Sequence, residues 1–294
     1  MPVETGDLDS GAPVTAIPPG FRCIDVHVHL HPERLANAIQ RVFAEEYDWV
    51  TAHTFEPEAV VQTLRARGVE RFCFFSYAHK PGMARSLNQW VAQTAAHFPE
   101  AIPLGTLHPD DPDLTDTAVE AMDGLGLAGF KFHISVQRFY PDDPRLYPVY
   151  ERAEALGRCF VFHAGTAPYR DPYTGVARFR RVMERFPRLR VSVAHLGALE
   201  IDAFLALTED FPNLYVDTSM VLTPYSRRYL GFDADLVRTA QLLRHQDRIL
   251  FGSDFPLIPY DYEEERRWAW ERGLPPDVRR KIFYENALRF LDLR

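Results

Sequence analysis

The 294-residue chain has few cysteines, and the three that it has are far apart. Cys23, Cys73 and Cys159 each lie inside an apolar run. An odd and widely spaced set fits neither a disulfide framework nor a cysteine-based zinc site. We therefore expect buried, unpaired thiols of the kind found in a reducing compartment, and from them a cytoplasmic location.

The sequence also lacks long apolar runs and an excess of positive charge. No run approaches the roughly 18 apolar residues of a membrane span, and the N-terminus lacks a charged-then-apolar signal pattern. Lys and Arg number 33 against 41 Asp and Glu, which gives a formal net charge of −8. Such a chain has no bulk attraction for nucleic acid or anionic lipid, so we expect neither nucleic acid nor a membrane as partner.

Composition and length describe an ordinary globular protein. With 46% hydrophobic and 25% charged residues, disordered, collagen-like and coiled-coil classes are excluded. The length suits two average domains or one large α/β barrel. Residues 1–20 are rich in Pro, Gly and small residues, which predicts a flexible N-terminal arm. No linker follows Phe21, so residues 21–294 are predicted to form a single domain.

Eight short apolar runs recur along the rest of the chain. Several of them do not alternate strictly, as is typical of parallel strands that are covered on both faces. The runs span residues 22–29, 71–77, 101–108, 127–133, 157–165, 189–197, 213–219 and 248–254. Amphipathic patterns between runs predict helices at 84–98, 146–157, 176–186 and 233–246. Eight runs separated by helices predict an α/β fold, a single closed (β/α)8 TIM barrel. A doubly wound open sheet is the alternative, but its Gly-rich dinucleotide turn is missing after the first run.

Histidine and aspartate occupy the ends of several runs. His27 and His29 end the first run, His163 the fifth, His195 the sixth and Asp254 the eighth. Because all strands of a barrel open onto one face at their carboxyl ends, these side chains converge there. His27 and His29 are two residues apart on a strand, so they point to the same side and form a chelate for a divalent ion. A third imidazole from His163 and a carboxylate from Asp254 complete a donor set that suits zinc, manganese or iron.

Further polar residues follow the runs on the same predicted face. Arginines at the mouth of a metal pocket can grip a carboxylate through two hydrogen bonds. We predict a small-molecule substrate, bound by Lys131, His133, Arg138, Tyr169, Arg170 and His79. The long first connection, residues 47–58, is predicted to act as a lid, since extended loops in compact domains are often functional.

Six segments make the sequence recognisable. They are IDVHVHLHP (24–32), GFKFHISVQRFYPDDPRLYPVYERA (129–153), FVFHAGTAP (160–168), VSVAHLGA (191–198), ILFGSDFPL (249–257) and YENALRFL (284–291). With these segments the chain resembles the amidohydrolase superfamily, in particular its amidohydrolase-related branch. That branch contains decarboxylases like aminocarboxymuconate semialdehyde decarboxylase (ACMSD) as well as many hydrolases.

The resemblance implies a ligand set and catalytic roles. It implies one divalent metal, preferably Zn²⁺ with Mn²⁺ or Fe²⁺ as alternatives, held by His27, His29, His163 and Asp254. His195 would polarise the substrate or act as a base. Asp254 would also accept a proton from the attacking water, because it lies within transfer distance of the metal site. A second metal bridged by a carboxylated Lys131, as in binuclear members, is the less favoured alternative to a Lys131 ammonium that neutralises an acidic substrate.

Two reactions fit this ligand set. The first expectation is a metal-dependent hydrolase, in which metal-activated water attacks an amide, ester or lactone carbonyl of a small substrate, acidic ones included. The alternative is a non-oxidative, ACMSD-like decarboxylase of a small unsaturated or aromatic carboxylic acid. A catalytically idle binding barrel is disfavoured, because an idle site has no reason to keep four ligands and a base. The His-x-His motif does not separate the first two, and a homo-oligomer remains open.

Overall fold

The computed structural model describes residues 17–168 and 170–293. In these residues eight parallel strands form one sheet, and each strand pairs with the next one along the chain. The strands are β1 (Cys23–His29), β2 (Val69–Phe75), β3 (Ala101–Gly105), β4 (Gly129–His133), β5 (Cys159–His163), β6 (Arg190–Val193), β7 (Leu214–Asp217) and β8 (Ile249–Leu250). Each strand falls in one of the eight predicted runs, β2 starting two residues before its run.

Contacts between the first and the last strand close the sheet into a barrel. The Val26 N–H donates to the Phe251 carbonyl at 3.0 Å, and the His29 N–H donates to the Phe255 carbonyl at 2.7 Å. Val28 also forms a parallel bridge with Phe255. The single (β/α)8 barrel predicted from the sequence is therefore confirmed, and the doubly wound sheet is wrong.

Helices follow the strands and cover the barrel. They are α1 (Glu33–Tyr47), α2 (Pro57–Ala66), α3 (Ala84–Ala95), α4 (Leu114–Val119), α5 (Ile134–Gln137), α6 (Tyr147–Leu156), α7 (Val176–Arg185), α8 (Ile201–Asp210), α9 (Ser226–Tyr229), α10 (Thr239–Arg244), α11 (Tyr262–Trp270), α12 (Pro276–Arg280) and α13 (Asn286–Leu291). Wider π-type turns continue α4 at Glu120–Gly124 and join α12 to α13 at Lys281–Glu285. No helix of the described residues has the length and apolarity that crossing a bilayer would require.

Three of the four helical patterns predict the helices correctly, as α3, α6 and α7. The fourth pattern, 233–246, contains a 3₁₀ turn at Ala234–Leu236 before α10 begins at Thr239. The Asp233 carboxylate accepts the Asp235 N–H and caps that short turn. Arg238 then has an extended ψ of 142°, which prevents one continuous helix.

Aromatic side chains fill the layer between strands and helices. Phe132, Phe160 and Phe162 contact one another with ring centroids 5.2–5.7 Å apart, and Tyr150 of α6 packs against Phe160. Rings at such distances add attraction beyond the apolar area that they bury. This packing holds β4 and β5, and therefore the residues at their carboxyl ends, in fixed positions.

The three cysteines are buried and form no disulfide, which confirms that part of the sequence prediction. Burial raises the pKa of the Cys159 thiol to about 12, so this thiol is unreactive. Residues 1–16 of the predicted N-terminal arm lie outside the described residues. The boundary between arm and barrel at residues 20 and 21 therefore stays a prediction.

Candidate active site

Three potential metal ligands meet where β1 and the chain after β8 run side by side. The donor atoms of His27, His29 and Asp254 all lie within 4.8 Å of one another, and all three residues are buried. Asp254 Oδ1 is 3.0 Å from His27 Nε2 and 2.9 Å from His29 Nε2. The cluster joins residues 225 positions apart, as the convergence of strand ends predicts.

The backbone at Asp254 is in the left-handed region, with a φ of 67°. Its N–H donates to the His27 carbonyl at 2.8 Å, which fixes the turn that directs the carboxylate toward the histidines. For a residue other than glycine this backbone conformation costs about 1–3 kcal/mol, and residues with such strained backbones concentrate at functional sites. The strain is therefore consistent with a site that is shaped for chemistry.

Asp217, at the end of β7, orients His27. The Nδ1–H of His27 donates to Asp217 Oδ2 at 3.0 Å, so the neutral ring carries its lone pair on Nε2, the atom that faces Asp254. A histidine held by a carboxylate on one nitrogen is the usual arrangement of a metal ligand. The donor set thus fits a divalent ion. Sequence reasoning missed Asp217, although its place at the end of the seventh run is the same signal that identified Asp254.

Protonation states in the cluster also suit metal binding. Burial would raise the pKa of Asp254, but the adjacent His27 and His29 side chains hold it well below its usual value. Burial lowers the pKa of His29 to about 4, so His29 is neutral at neutral pH. For His27, burial and Lys131 lower the pKa, yet Asp217 and Asp254 outweigh both and raise it. Protons therefore compete with a metal at His27 more than at His29.

Lys131 places a cation beside the cluster. It is 1% exposed, its Nζ lies 3.2 Å from His27 Nε2, and it stands 4.7 Å above the centre of the Phe75 ring. Burial lowers the pKa of its ammonium to about 8, although Asp217 and Asp254 oppose the shift. At neutral pH Lys131 is therefore mostly an ammonium, whose positive charge faces the carboxylates of Asp217 and Asp254.

His163 lies beside the three-residue cluster without joining it. Its ring stacks on His133 with the centroids 4.1 Å apart. Its Nε2 lies 2.8 Å from the Ala167 carbonyl. A carbonyl only accepts, so Nε2 carries the proton and only Nδ1 can offer a lone pair. The expectation that His163 is a fourth metal ligand stays a prediction.

His195 follows β6 and lines the cavity. The backbone N–H of His195 donates to Asp217 Oδ1 at 3.1 Å, and the ring Nδ1 lies 3.0 Å from the Ser219 carbonyl. The proton is therefore on Nδ1, and burial lowers the pKa of the ring, so Nε2 is unprotonated. The ring centroid is 5.4 Å from that of His27. An unprotonated imidazole at this distance suits the predicted role of base or polarising group.

A cavity of about 620 Å³ contains the cluster. Nine of the residues predicted for the site line it: His27, His29, His79, Lys131, His133, Arg138, His163, His195 and Asp254. His79 and Arg138 are exposed, and Arg170, also exposed, is not among the lining residues. Tyr169 lies outside the described residues. The substrate-binding roles of all these residues stay predictions.

One wall of the cavity is apolar and was not anticipated. Leu35, Ile39, Val42 and Phe43 of α1 line it, together with Trp49 from the segment that was predicted to form a lid. His53 of the same segment binds the Tyr260 carbonyl through Nε2 at 2.7 Å. The residues of the segment that face the cavity are therefore few, and helix α1 supplies most of this wall.

Comparisons with known proteins identify a family and relatives for this chain. A family model described as amidohydrolase matches residues 24–293. The 2-amino-3-carboxymuconate-6-semialdehyde decarboxylase of Dictyostelium discoideum is 22% identical over 92% of this chain and 91% of its own length. The match and the His-His-Asp cluster together support a divalent metal.

Solved structures share the fold at low identity. An uncharacterized TIM-barrel protein from Bordetella bronchiseptica has a TM-score of 0.74 and 22% identity, covering 92% of this chain and 98% of its own. A dihydroxybenzoic acid decarboxylase from Polaromonas sp. JS666, with bound manganese and the inhibitor 2-nitroresorcinol, has a TM-score of 0.66 and 16% identity over 92% and 97%.

Proposed function

Because the chain belongs to the amidohydrolase family, we propose that it is a metal-dependent, non-oxidative decarboxylase of a small aromatic or unsaturated carboxylic acid. The observation that carries the proposal is the buried Lys131 ammonium beside His27 and Asp254, because a substrate carboxylate needs such a cation and a neutral amide or ester does not. The decarboxylases among its relatives support the same reaction. Hydrolysis, the first expectation from the sequence, has less support.

The residues that would hold the metal are His27, His29 and Asp254, with Nδ1 of His163 as the proposed fourth ligand. A divalent ion bound there would supply positive charge that attracts the oxygens of the acid and stabilises negative charge in the reaction. Nitrogen and carboxylate donors suit Zn²⁺ and Mn²⁺ alike. We propose one ion, and manganese in a related structure makes Mn²⁺ the first metal to test, ahead of the Zn²⁺ that the sequence favoured.

Lys131, His195 and Asp254 would each carry out one part of the reaction. In the reaction the bond between carbon and the carboxylate breaks, CO₂ leaves, and a proton takes its place on carbon. Lys131 neutralises the incoming carboxylate. The unprotonated Nε2 of His195 accepts a hydrogen bond from a hydroxyl of the substrate, which increases electron density at the reacting carbon. Asp254 is ionised, so the replacing proton comes from water, and the Asp254 carboxylate accepts that proton and passes it to the carbon.

The test is product analysis with the metal-loaded protein in heavy water. Hydroxylated aromatic acids, esters and lactones are incubated separately with the protein and Mn²⁺. The proposal predicts release of CO₂ and a product that carries one deuterium where the carboxylate was. Asp254→Asn, which is close to isosteric, should keep the fold and lose this turnover. Products that have gained water, with no CO₂ from any acid, would contradict decarboxylation and restore the hydrolase.

A further inference from the structure

The apolar wall of the cavity has no role in the chemistry proposed above. We call it the α1 wall, and it consists of Leu35, Ile39, Val42, Phe43, Trp49 and Tyr229. The four α1 positions follow one another at separations of four, three and one residue, so they share one face of the helix. Ala36 is the single buried residue of α1. Leu35, Ile39 and Phe43 are partly buried against neighbouring apolar clusters and Val42 is exposed, so this face is only partly covered and also borders the cavity.

The aromatic part of the wall is held in place from several sides. Trp49 contacts Phe43 and Tyr229, with ring centroids 5.3 and 4.6 Å apart. Its indole N–H donates to the Leu257 carbonyl at 2.8 Å. Arg228, beside Tyr229, also forms an exposed ion pair with Asp48 at 2.6 Å, which adds little to these packing contacts. The wall is therefore ordered before any ligand arrives, which lowers the entropic cost of binding.

The size of the cavity also exceeds what a simple acid requires. Its volume of about 620 Å³ falls in the range of sites that enclose ligands much larger than one aromatic ring. An acid with a single ring, anchored beside Lys131, leaves part of this volume to water. Water against Ile39, Val42 and Phe43 is unfavourable, and an apolar group in its place gains the hydrophobic free energy.

We propose that the substrate carries, besides its carboxylate, an extended apolar or aromatic substituent that binds the α1 wall. This inference rests on the proposed function, because the carboxylate at Lys131 and the His27–His29–Asp254 cluster sets the other end of the molecule. Both ends lie in one continuous cavity, and the wall residues line it together with the cluster.

The probes are two homologous series, and binding is measured by calorimetry on the Mn²⁺-loaded protein. The first series is 2-hydroxybenzoic acid with hydrogen, methyl, propyl, pentyl or phenyl at position 4. The second is the corresponding phenols without the carboxylate. The inference predicts that affinity rises about fourfold for each methylene that is buried, in both series.

Matched variants on one helix separate the wall from the rest of the protein. Val42→Asn places a polar group on the wall, whereas Ala44→Asn makes the same kind of change at an exposed α1 position that does not line the cavity. Val42 is 41% exposed, so the substitution leaves the core intact. Val42→Asn should flatten the gradient with chain length, and Ala44→Asn should leave it unchanged.

The outcomes distinguish this inference from the proposed function. A gradient in both series that Val42→Asn removes supports the inference. A gradient in the phenols alone, with no metal-dependent affinity for the acids, overturns the carboxylate anchor but keeps the wall as an apolar site. Flat affinities in both series overturn the inference. The inference is also overturned if sedimentation shows that Val42→Asn changes only the oligomeric state, because the wall would then bind a second copy of the chain.

Discussion

The orientation of His27 by Asp217 gives the sharpest test of the site geometry. The two oxygens of Asp217 accept different hydrogen bonds. Oδ2 accepts the His27 Nδ1–H, and Oδ1 accepts the backbone N–H groups of His195 and Ser219 at 3.1 and 3.2 Å. In Asp217→Asn only one oxygen remains. It is expected on the side with two backbone donors, so the amide NH₂ faces His27 Nδ1.

That exchange reverses the tautomer of His27. An NH₂ group donates, so Nδ1 must accept, and the ring proton moves to Nε2. The lone pair that faces Asp254 and the proposed metal is then lost. Removing such an orienting partner typically reduces metal affinity 10- to 100-fold, which corresponds to about 1.4–2.8 kcal/mol.

Calorimetric titration of the metal-free protein with Mn²⁺ measures this loss. Asp111→Asn is the matched control, because Asp111 is a buried aspartate that accepts the Gly82 N–H and does not line the cavity. The control should keep the affinity of the wild type. If Asp217→Asn binds Mn²⁺ as tightly as the wild type, His27 is not a ligand oriented by Asp217, and the reasoning fails.

Two further predictions concern the fold. In Gly129→Ala the new Cβ would lie 1.7 Å from the Cys159 carbonyl oxygen. Urea unfolding should therefore show that the free energy of unfolding falls by about 3 kcal/mol or more. In the control Gly124→Ala the nearest atom would be 3.9 Å from the new Cβ, so this change should be neutral or slightly stabilising. Equal stabilities would contradict the packing of β4 on β5. Burial raises the pKa of Glu265 well above its usual value, and a raised pKa stabilises the fold at low pH and loses this contribution as pH rises. The free energy of unfolding of Glu265→Gln should therefore increase relative to the wild type as pH rises above the ordinary pKa of a glutamate, about 4.3, and parallel pH curves would refute the shift.

The barrel could be predicted from the sequence because its signal is repeated. Eight apolar runs, several of them with a polar residue at or near the end, repeat one pattern, and even the two-residue strand Ile249–Leu250 was found through its run. The convergence of His27, His29 and Asp254 followed from the same topology.

Details within the site depend on contacts that no local pattern records. The tautomer of His163 is set by the Ala167 carbonyl, and the position of Lys131 beside His27 depends on the register between β1, β4 and their neighbours. Asp217 carried the same strand-end signal as Asp254, but a single aspartate at a strand end does not reveal which histidine it will orient.

The α1 wall escaped prediction for a different reason. Amphipathic spacing indicates that a helix has an apolar face but not what covers it. Ile39 packs partly against Phe55 and Leu257, whereas Val42 is exposed, and both also line the cavity. The lid at 47–58 stays a prediction, and helix α1 before it supplies most of the apolar wall of the cavity.

The central claim is that His27, His29 and Asp254 hold one divalent ion at the base of this cavity. Anomalous diffraction from crystals grown with Mn²⁺, recorded above and below the manganese edge, tests it most directly. The account predicts one anomalous peak within bonding distance of His27 Nε2, His29 Nε2 and an Asp254 oxygen. No peak in the cavity, or a peak bound only by other residues, would contradict it.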